Sequence, residues 1–222
     1  MDKQTIFSHV DHTLLKPTAT WEEICTLCEE AVQYKTASVC IPPSYVARVA
    51  EKYGNALTVC TVIGFPLGYA TTETKVFETR AAIRDGAREV DMVVNLGDVK
   101  NGDFAKVTQE IAALKDAAGD HILKVIVETC YLTDEEKIKL CACVTEAGAD
   151  HIKTSTGFGT GGATPEDIKL FKAHIGPGVK MKASGGIRTV GDMELYIDLG
   201  CDRLGTSSAV KILAGDETDG SY

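Results

Sequence analysis

The sequence predicts a single-domain α/β protein, a (β/α)8 TIM barrel formed by residues 1–222. Short β-rich runs alternate with amphipathic stretches along the whole chain, and no linker divides it. The centres of successive β-rich runs lie 21 to 35 residues apart, a step that holds a strand, a helix and two short loops. The chain has eight such runs, the number of parallel strands that closes a barrel.

The predicted strands begin near the N-terminus and recur to the end of the chain. They are 9–14, 37–42, 57–65, 89–97, 122–129, 151–156, 179–184 and 203–207. After the last of them, the polar segment 215–222 predicts a flexible tail.

The segments between these strands predict helices. The first, 20–35, opens with Thr20 and has Glu23 three residues later, the spacing of a capping box. Five further segments have apolar residues three and four positions apart and end at glycine, as amphipathic helices do. They are 71–86, 104–119, 133–148, 164–176 and 190–200.

Charge and hydropathy limit the partners that the protein can have. The chain has 23 Lys+Arg and 32 Asp+Glu, which gives a net charge of −9 and a pI of about 5.1. An acidic protein disfavours nucleic acid and anionic membranes, whereas a small phosphorylated ligand needs only a local pocket. No apolar run approaches the roughly 20 residues of a membrane span, and the first residues lack a secretory signal pattern. We therefore expect a cytoplasmic protein without a nucleic-acid or membrane partner.

Neither the cysteines nor the histidines have the spacing of a metal site. Among the eight cysteines, one CxxC motif (25–28) lies in a helical pattern, and the Cys-Ala-Cys motif (141–143) has the wrong spacing for a second zinc-binding pair. We expect reduced, mostly buried thiols. His9 and His12 point to opposite faces of their strand. The sequence therefore predicts no metal.

The carboxyl ends of the predicted strands carry polar residues that a packed core would not choose. These are Asp11, Cys40, Asp91, Asn95, Glu128, Lys153 and Lys182. In a (β/α)8 barrel the ligand site lies at this end of the strands. Strand alternation puts Asp91 and Asn95 on one face, which we expect to line the barrel mouth. Cys40 has two interpretations, a wall of the pocket or a thiol of the core.

Two lysines within predicted strands indicate chemistry. Lys153 and Lys182 lie on neighbouring strands, where a buried lysine costs several kcal/mol unless it is paired or neutralised. We expect the two ammonium groups to lower each other's pKa, which leaves a neutral amine able to form a Schiff base with a carbonyl. Asp91 would balance the remaining charge and move protons. The alternative is a Lys–Asp–Lys ion network that only stabilises the barrel.

Two loops near the end of the chain predict a phosphate site. Gly185 and Gly186 follow the seventh predicted strand, and the segment 205–208 (Gly-Thr-Ser-Ser) follows the eighth and opens a helix. Glycines let backbone N–H groups approach an anion, and loops seven and eight commonly bind phosphate in this fold. The alternative is a set of turn glycines followed by a serine that caps the helix.

Eight segments of the chain together resemble the deoxyribose-phosphate aldolase family. The segments are DHTLL (11–15), VCIPP (39–43), GFPLG (64–68), EVDMVVNLG (89–97), KVIVET (124–129), HIKTSTGF (151–158), KASGGIRT (182–189) and RLGTSS (203–208). The resemblance runs from about residue 8 to 213 and includes every predicted strand.

The resemblance implies a class I aldolase that reversibly cleaves 2-deoxy-D-ribose 5-phosphate to D-glyceraldehyde 3-phosphate and acetaldehyde. It implies that Lys153 forms the Schiff base, that Lys182 tunes it and that Asp91 joins the proton relay. The phosphate would be bound by Gly157, Gly185, Gly186, Gly205, Ser207 and Ser208. Phe158 stands where some members of the family have a basic residue.

The resemblance also implies properties beyond these residues. No metal or organic cofactor is needed, and the protein is expected to form a homodimer or a larger homo-oligomer. Asp11, Cys40 and Thr156 are further pocket candidates. We also expect that the tail folds over the site, where Tyr222 would assist proton transfer at the enamine carbon.

Two other functions are compatible with the same residues. One is a Schiff-base aldolase that acts on a different sugar phosphate. The other is a catalytically silent protein that binds a phosphorylated ligand and uses its lysines only in ion pairs. Trapping with borohydride separates them, since only a Schiff base gives an irreversible adduct on one lysine.

Overall fold

A computed structural model describes residues 1–214, and they contain a closed barrel of eight parallel strands in the order of the sequence. The predicted fold class is therefore confirmed. The segment 215–222, with Tyr222, lies outside the described residues. Within residues 1–214, no helix combines the length and the apolar composition needed to cross a bilayer.

Each predicted strand overlaps an observed one. The strands are β1 (Val10–Thr13), β2 (Ser38–Ile41), β3 (Val59–Ile63), β4 (Glu89–Val93), β5 (Ile122–Ile126), β6 (His151–Lys153), β7 (Lys180–Ser184) and β8 (Arg203–Thr206). The prediction for β4 was too long. Asn95 lies beyond its end, and its side chain caps the next helix by accepting from the backbone N–H groups of Gly97 and Asp98. The expectation that Asn95 continues the face of Asp91 was therefore wrong, because the chain turns into a helix first.

Ten α-helices surround the barrel within residues 1–214. They are α1 (Lys3–Phe7), α2 (Trp21–Tyr34), α3 (Val46–Tyr53), α4 (Thr72–Arg84), α5 (Leu96–Lys100), α6 (Phe104–Ala118), α7 (Asp134–Glu146), α8 (Pro165–His174), α9 (Val190–Leu199) and α10 (Ala209–Ala214). The capping box of Thr20 and Glu23 is present. The sequence pattern did not predict α1, α3 and α5.

The strands bury two chemically different faces. Val90 and Met92 belong to the main apolar cluster, which also contains buried side chains of the helices. Asp91, between them in sequence, instead bonds to Lys153 of β6, which is two strands away. Because successive side chains of a strand alternate in direction, this contact crosses the interior of the barrel. The apolar layer thus lies outside the strands, and the charged residues lie inside.

A second buried ion pair lies outside the barrel, between α4 and α6. The Nζ atom of Lys75 donates to Glu110 Oε1 at 2.9 Å and to the backbone oxygen of Val93 at 2.8 Å. The Lys75 side chain is fully buried, and 5% of that of Glu110 is exposed. Burial lowers the pKa of Lys75 and raises that of Glu110, and each partner opposes the shift of the other. Lys75 falls within a helical pattern, where a lysine ordinarily predicts a solvated surface.

A Lys75→Met substitution is expected to lower the free energy of unfolding by about 3–5 kcal/mol, because it leaves the Glu110 carboxylate buried without its cation. Urea unfolding at neutral pH measures the change. The double variant Lys75→Met/Glu110→Leu replaces both charges with apolar groups and should recover most of the loss. Equal destabilisation of the single and double variants would contradict the explanation.

Candidate active site

Charged side chains from six strands meet inside the barrel. They are Asp11 (β1), Glu89 and Asp91 (β4), Lys124 (β5), Lys153 (β6), Lys182 (β7) and Arg203 (β8). Each is linked to at least one other member by an ion pair of 3.5 Å or less. Buried charges persist only when they are paired, so these residues stabilise one another's ionised forms.

Asp91 lies at the centre of this network. Its Oδ2 atom accepts from Lys153 Nζ at 2.8 Å and from Lys182 Nζ at 2.7 Å. Its Oδ1 atom accepts from Lys124 Nζ at 3.0 Å and from Cys60 Sγ at 3.1 Å. Burial alone would raise the pKa of Asp91, but the three ammonium groups outweigh it and hold that pKa well below its usual range. The carboxylate is therefore ionised and links three lysines.

Lys182 differs from the sequence-based expectation. Burial does act to lower its pKa, but Asp11 and Asp91 outweigh burial, so the pKa of Lys182 is raised. Its Nζ atom donates to one carboxylate oxygen of each aspartate. The expectation of a neutral amine through mutual repulsion was wrong for this lysine. The sequence pattern placed two lysines beside a single aspartate, whereas in the structure Asp11 supplies a second carboxylate next to Lys182.

Lys153 occupies a different position in the same network. It is the last residue of β6, at the carboxyl end of the barrel, and its Cα is paired in register with that of Lys182. Among residues 1–214, its Nζ atom forms an ion pair with one carboxylate, that of Asp91. About 4% of its side chain is exposed, whereas the side chains of Lys124 and Lys182 are fully buried. Lys153 is thus the lysine that a ligand in the mouth can reach.

Asp11 and Cys40 are both fully buried. Asp11 accepts from Lys182 and from Arg203 Nη1, and these cations, together with Lys124, lower its pKa against the effect of burial. Cys40 pairs in register with Cys60 on the next strand, and both belong to a small cluster inside the barrel. Its burial favours the core-thiol interpretation.

The loops after β6 and β7 lie against each other. The backbone N–H of Ala163 donates to the oxygens of Ser184 and Gly185 at 3.0 and 3.1 Å. Gly185 has a φ of 79°, and a Cβ atom there would lie 3.0 Å from Gly162 Cα. A side chain at this position would therefore separate the two loops. Gly157 and Gly186 also have positive φ, at 88° and 76°.

The predicted phosphate segment 205–208 runs from the end of β8 to the start of α10. Gly205 lies within β8, where a Cβ atom would approach Ser184 Cβ to 2.8 Å and Lys182 Cε to 3.2 Å. Ser207 is exposed, and Ser208 is partly buried with its backbone N–H donating to Thr206 Oγ1. Helix α10 starts at Ala209, and the backbone oxygen of Ser208 accepts from the N–H of Ile212 at 2.9 Å, so Ser208 stands at the N-terminal cap of that helix. The absence of a side chain at Gly205 therefore leaves room for the side chains of Ser184 and Lys182.

A comparison with protein families decides which family this barrel represents. The family described as DeoC/LacD family aldolase matches residues 5–198. The chain belongs to the DeoC/LacD aldolase family.

Curated and solved members of this family resemble the chain over nearly its whole length. A deoxyribose-phosphate aldolase of Clostridium botulinum (strain Alaska E43 / Type E3) is 62% identical over 99% of this chain and 100% of the relative. A deoxyribose-phosphate aldolase of Clostridioides difficile (strain 630) is 59% identical over 96% of this chain and 97% of the relative. The tetrameric deoxyribose phosphate aldolase of Aeropyrum pernix is 34% identical. The match covers 96% of this chain and 92% of that one, with a TM-score of 0.88.

Three members of the aldolase's charged network were not identified from the sequence as candidates. Lys124 Nζ donates to Asp91 and to Glu89 Oε2, and Arg203 forms a two-bond pair with Glu89 at 2.8 and 2.9 Å. Lys124 interrupts an apolar strand in the same way as Lys153, so the argument used for Lys153 would have found it. Arg203 starts a strand, where a charged residue ordinarily faces solvent, and it gave no comparable signal.

The depressed pKa values of Asp11 and Asp91 predict a loss of stability in acid. Carboxylates whose folded pKa is lowered contribute stability above their unfolded pKa of about 3.9, and lose it as the pH falls towards the folded value. The free energy of unfolding should therefore decrease below about pH 5. Urea unfolding between neutral pH and the acid range measures the slope.

The Asp11→Asn variant should have a shallower acid slope than the unmodified protein, since one of the two carboxylates no longer titrates. Asp120→Asn, at an exposed position, is the matched control. An acid slope that is identical in the Asp11→Asn variant and the unmodified protein would contradict the assignment.

Proposed function

We propose that the protein is a class I aldolase that reversibly cleaves 2-deoxy-D-ribose 5-phosphate to D-glyceraldehyde 3-phosphate and acetaldehyde, with Lys153 as the Schiff-base lysine. The observation that carries the proposal is one reachable amine, at the carboxyl end of β6, bonded to the ionised Asp91. Relatives at 62% and 59% identity are deoxyribose-phosphate aldolases, which supports the substrate.

The chemistry begins at the Nζ atom of Lys153. Its unprotonated amine attacks C1 of the open-chain sugar, and loss of water gives a protonated imine. Acetaldehyde contains C1 and C2 of the sugar, so the bond that breaks is the one between C2 and C3. The imine accepts that electron pair and becomes an enamine, while the C3 hydroxyl loses its proton and becomes the aldehyde of the second product. No metal or organic cofactor takes part in this scheme.

The proposed proton path uses contacts that exist before substrate binds. Asp91 Oδ2 accepts from both Lys153 and Lys182, so a proton can pass between the two amines through one oxygen atom or a bound water. The raised pKa of Lys182 keeps that amine protonated and positively charged beside Lys153, and the low pKa of Asp91 keeps a negative charge beside the developing imine. We therefore propose that Lys182 tunes the reactivity of the Lys153 amine and that Asp91 stabilises the positive charge of the imine.

The phosphate is assigned to the loops at the mouth. The proposed ligands are Gly157, Gly185, Gly186, Gly205, Ser207 and Ser208. The contact between the loops after β6 and β7 supports the first three, since it brings backbone groups of both loops together. Besides this proposed role, Gly205 leaves space for the side chains of Ser184 and Lys182.

Borohydride reduction with acetaldehyde tests the assignment of Lys153. We expect one irreversible adduct, mapped by mass spectrometry to Lys153, because the imine carbon is reduced to a stable amine. Lys153→Arg should lose the adduct and turnover while retaining phosphate binding, since a guanidinium keeps the charge but is not a nucleophile. The exposed Lys106→Arg is the matched control.

Three results, from trapping, from metal chelation and from substrate preference, would favour rival functions. Adducts scattered over surface lysines, or none, would indicate a silent binding protein. Turnover that is lost on dialysis against EDTA would indicate a zinc aldolase. Trapping at Lys153 with a strong preference for another sugar phosphate would retain the mechanism and change the substrate.

We further propose that the tail assists proton transfer through Tyr222. This residue lies outside the described part of the chain, so the proposal rests on the sequence alone. Deletion of Tyr222 should slow proton exchange into acetaldehyde and reduce turnover, while borohydride trapping at Lys153 continues. Unchanged exchange, measured by NMR in deuterated water, would end the proposal.

The remaining proposals concern organisation in the cell. We propose a single domain over residues 1–222 and a homodimer or larger homo-oligomer, which the tetrameric relative of Aeropyrum pernix supports. Tyr69 and Phe77, which are 74% and 71% exposed, offer apolar surface for such contacts. A cytoplasmic location suits a phosphorylated substrate, because a charged ester does not cross a bilayer unaided.

A further inference from the structure

Glu128 is a buried carboxylate that the proposed mechanism does not use. It follows β5, and 3% of its surface is exposed. Its backbone has φ 56° and ψ 67°, the left-handed region that side chains other than glycine rarely adopt. Strained backbone of this kind costs about 1–3 kcal/mol and persists where surrounding contacts require it. The hydrogen bonds of the Glu128 side chain show which contacts hold its backbone in this conformation.

The Glu128 side chain holds the turn that follows Lys153. Its Oε1 and Oε2 atoms accept from the backbone N–H of Thr156 at 3.1 and 3.3 Å, and Oε2 also accepts from the Thr156 hydroxyl. That hydroxyl in turn accepts from the backbone N–H of Phe158 at 3.0 Å. The bonds therefore enclose Gly157, which lies between the two residues. Burial raises the pKa of Glu128, and the bonds from Thr156 oppose that effect.

The backbones of the loops after β5 and β6 also pack closely against each other. The backbone N–H of Thr129 donates to the oxygen of Thr154 at 3.0 Å, which ties the two loops together. A Cβ atom at Gly159 would lie 2.9 Å from Cys130 Sγ and 3.2 Å from Glu128 Cδ. The segment 154–159 thus lies directly on Glu128 and its neighbours, with no room for a side chain at Gly159.

This arrangement borders the barrel mouth. A cavity of about 80 Å³ lies beside it, and Glu128, Thr156, Phe158 and Gly159 contribute to its wall. Pro66, Leu67, Leu96 and Tyr131 complete that wall. The phenyl ring of Phe158 packs edge-on against Phe65, with ring centroids 5.4 Å apart. Glu128 is the buried carboxylate of this wall, and its oxygen atoms bond to the turn.

We propose that Glu128 is a positioning residue that holds Thr156 and Gly157 in the geometry needed to receive the phosphate of the substrate. The inference rests on the proposed function, which assigns Gly157 to the phosphate. Glu128 acts through Thr156 and does not touch the reacting carbonyl. Its loss should therefore weaken binding of the phosphorylated end and spare the chemistry at Lys153.

The test compares two acceptors that differ only in the phosphate. Condensation of acetaldehyde with D-glyceraldehyde 3-phosphate and with D-glyceraldehyde gives KM and kcat for each. Glu128→Gly, which suits a φ of 56°, should raise KM for the phosphorylated acceptor about tenfold or more, the size expected for hydrogen bonds to a charged group. Its KM for D-glyceraldehyde and its kcat should change by less than about twofold.

Three further variants make the result specific. Glu128→Gln keeps an acceptor for the Thr156 N–H and should recover part of the selectivity. Thr156→Val removes the hydroxyl from the other side of the contact and should lose selectivity in the same direction. Thr129→Val is the matched control, because among residues 1–214 its buried hydroxyl makes no hydrogen bond. It should leave the ratio of the two KM values unchanged.

Each outcome separates this inference from the proposed function. Borohydride trapping of acetaldehyde at Lys153 needs no phosphate, so it should persist in Glu128→Gly. An equal change in KM for both acceptors, or no change, overturns the role of Glu128. Absence of trapping in the unmodified protein overturns the proposed function instead. If Glu128→Gly does not fold, Glu128→Gln and Thr156→Val decide the question.

Discussion

The hydrogen bonds between Asp91 and three lysines are the interaction on which the rest of the structure depends. One carboxylate accepts from Lys124, Lys153 and Lys182, which come from three consecutive strands. Without it, three ammonium groups would share a buried space with fewer counter-charges, a cost of several kcal/mol for each unpaired ion. The same contacts that stabilise the barrel interior also fix the proposed nucleophile in place.

The two faces of the strands contribute differently to the structure. The outer face supplies apolar burial through residues such as Val90 and Met92, so the interior does not have to provide the hydrophobic core. Interior positions can therefore be polar. The interior also sets a steric condition at Gly205, where a Cβ atom would lie 2.8 Å from Ser184 Cβ and 3.2 Å from Lys182 Cε.

The sequence predicted the barrel well because its evidence is local. Strand and helix periodicity identified all eight strands, and a lysine inside an apolar run drew attention to Lys153 and Lys182. It failed where the answer depends on partners distant in the chain. The pKa of Lys182 is raised because Asp11, 171 residues away, lies beside it. Lys75 is buried because Glu110 faces it from another helix. Periodicity predicts the face of the strand or helix on which a side chain lies, but it does not identify the distant residue that the side chain contacts.

The pairing of Asp11 with Lys182 and Arg203 has a consequence for how the protein matures. Asp11 is on the first strand, and the two cations that donate hydrogen bonds to it are on the last two. During synthesis the N-terminal strand emerges long before those partners exist, so its carboxylate has to remain hydrated until the ring of strands is complete. The acquisition of enzymatic competence is therefore a late event, coincident with ring closure, and its appearance would report the moment at which the two ends of the barrel meet.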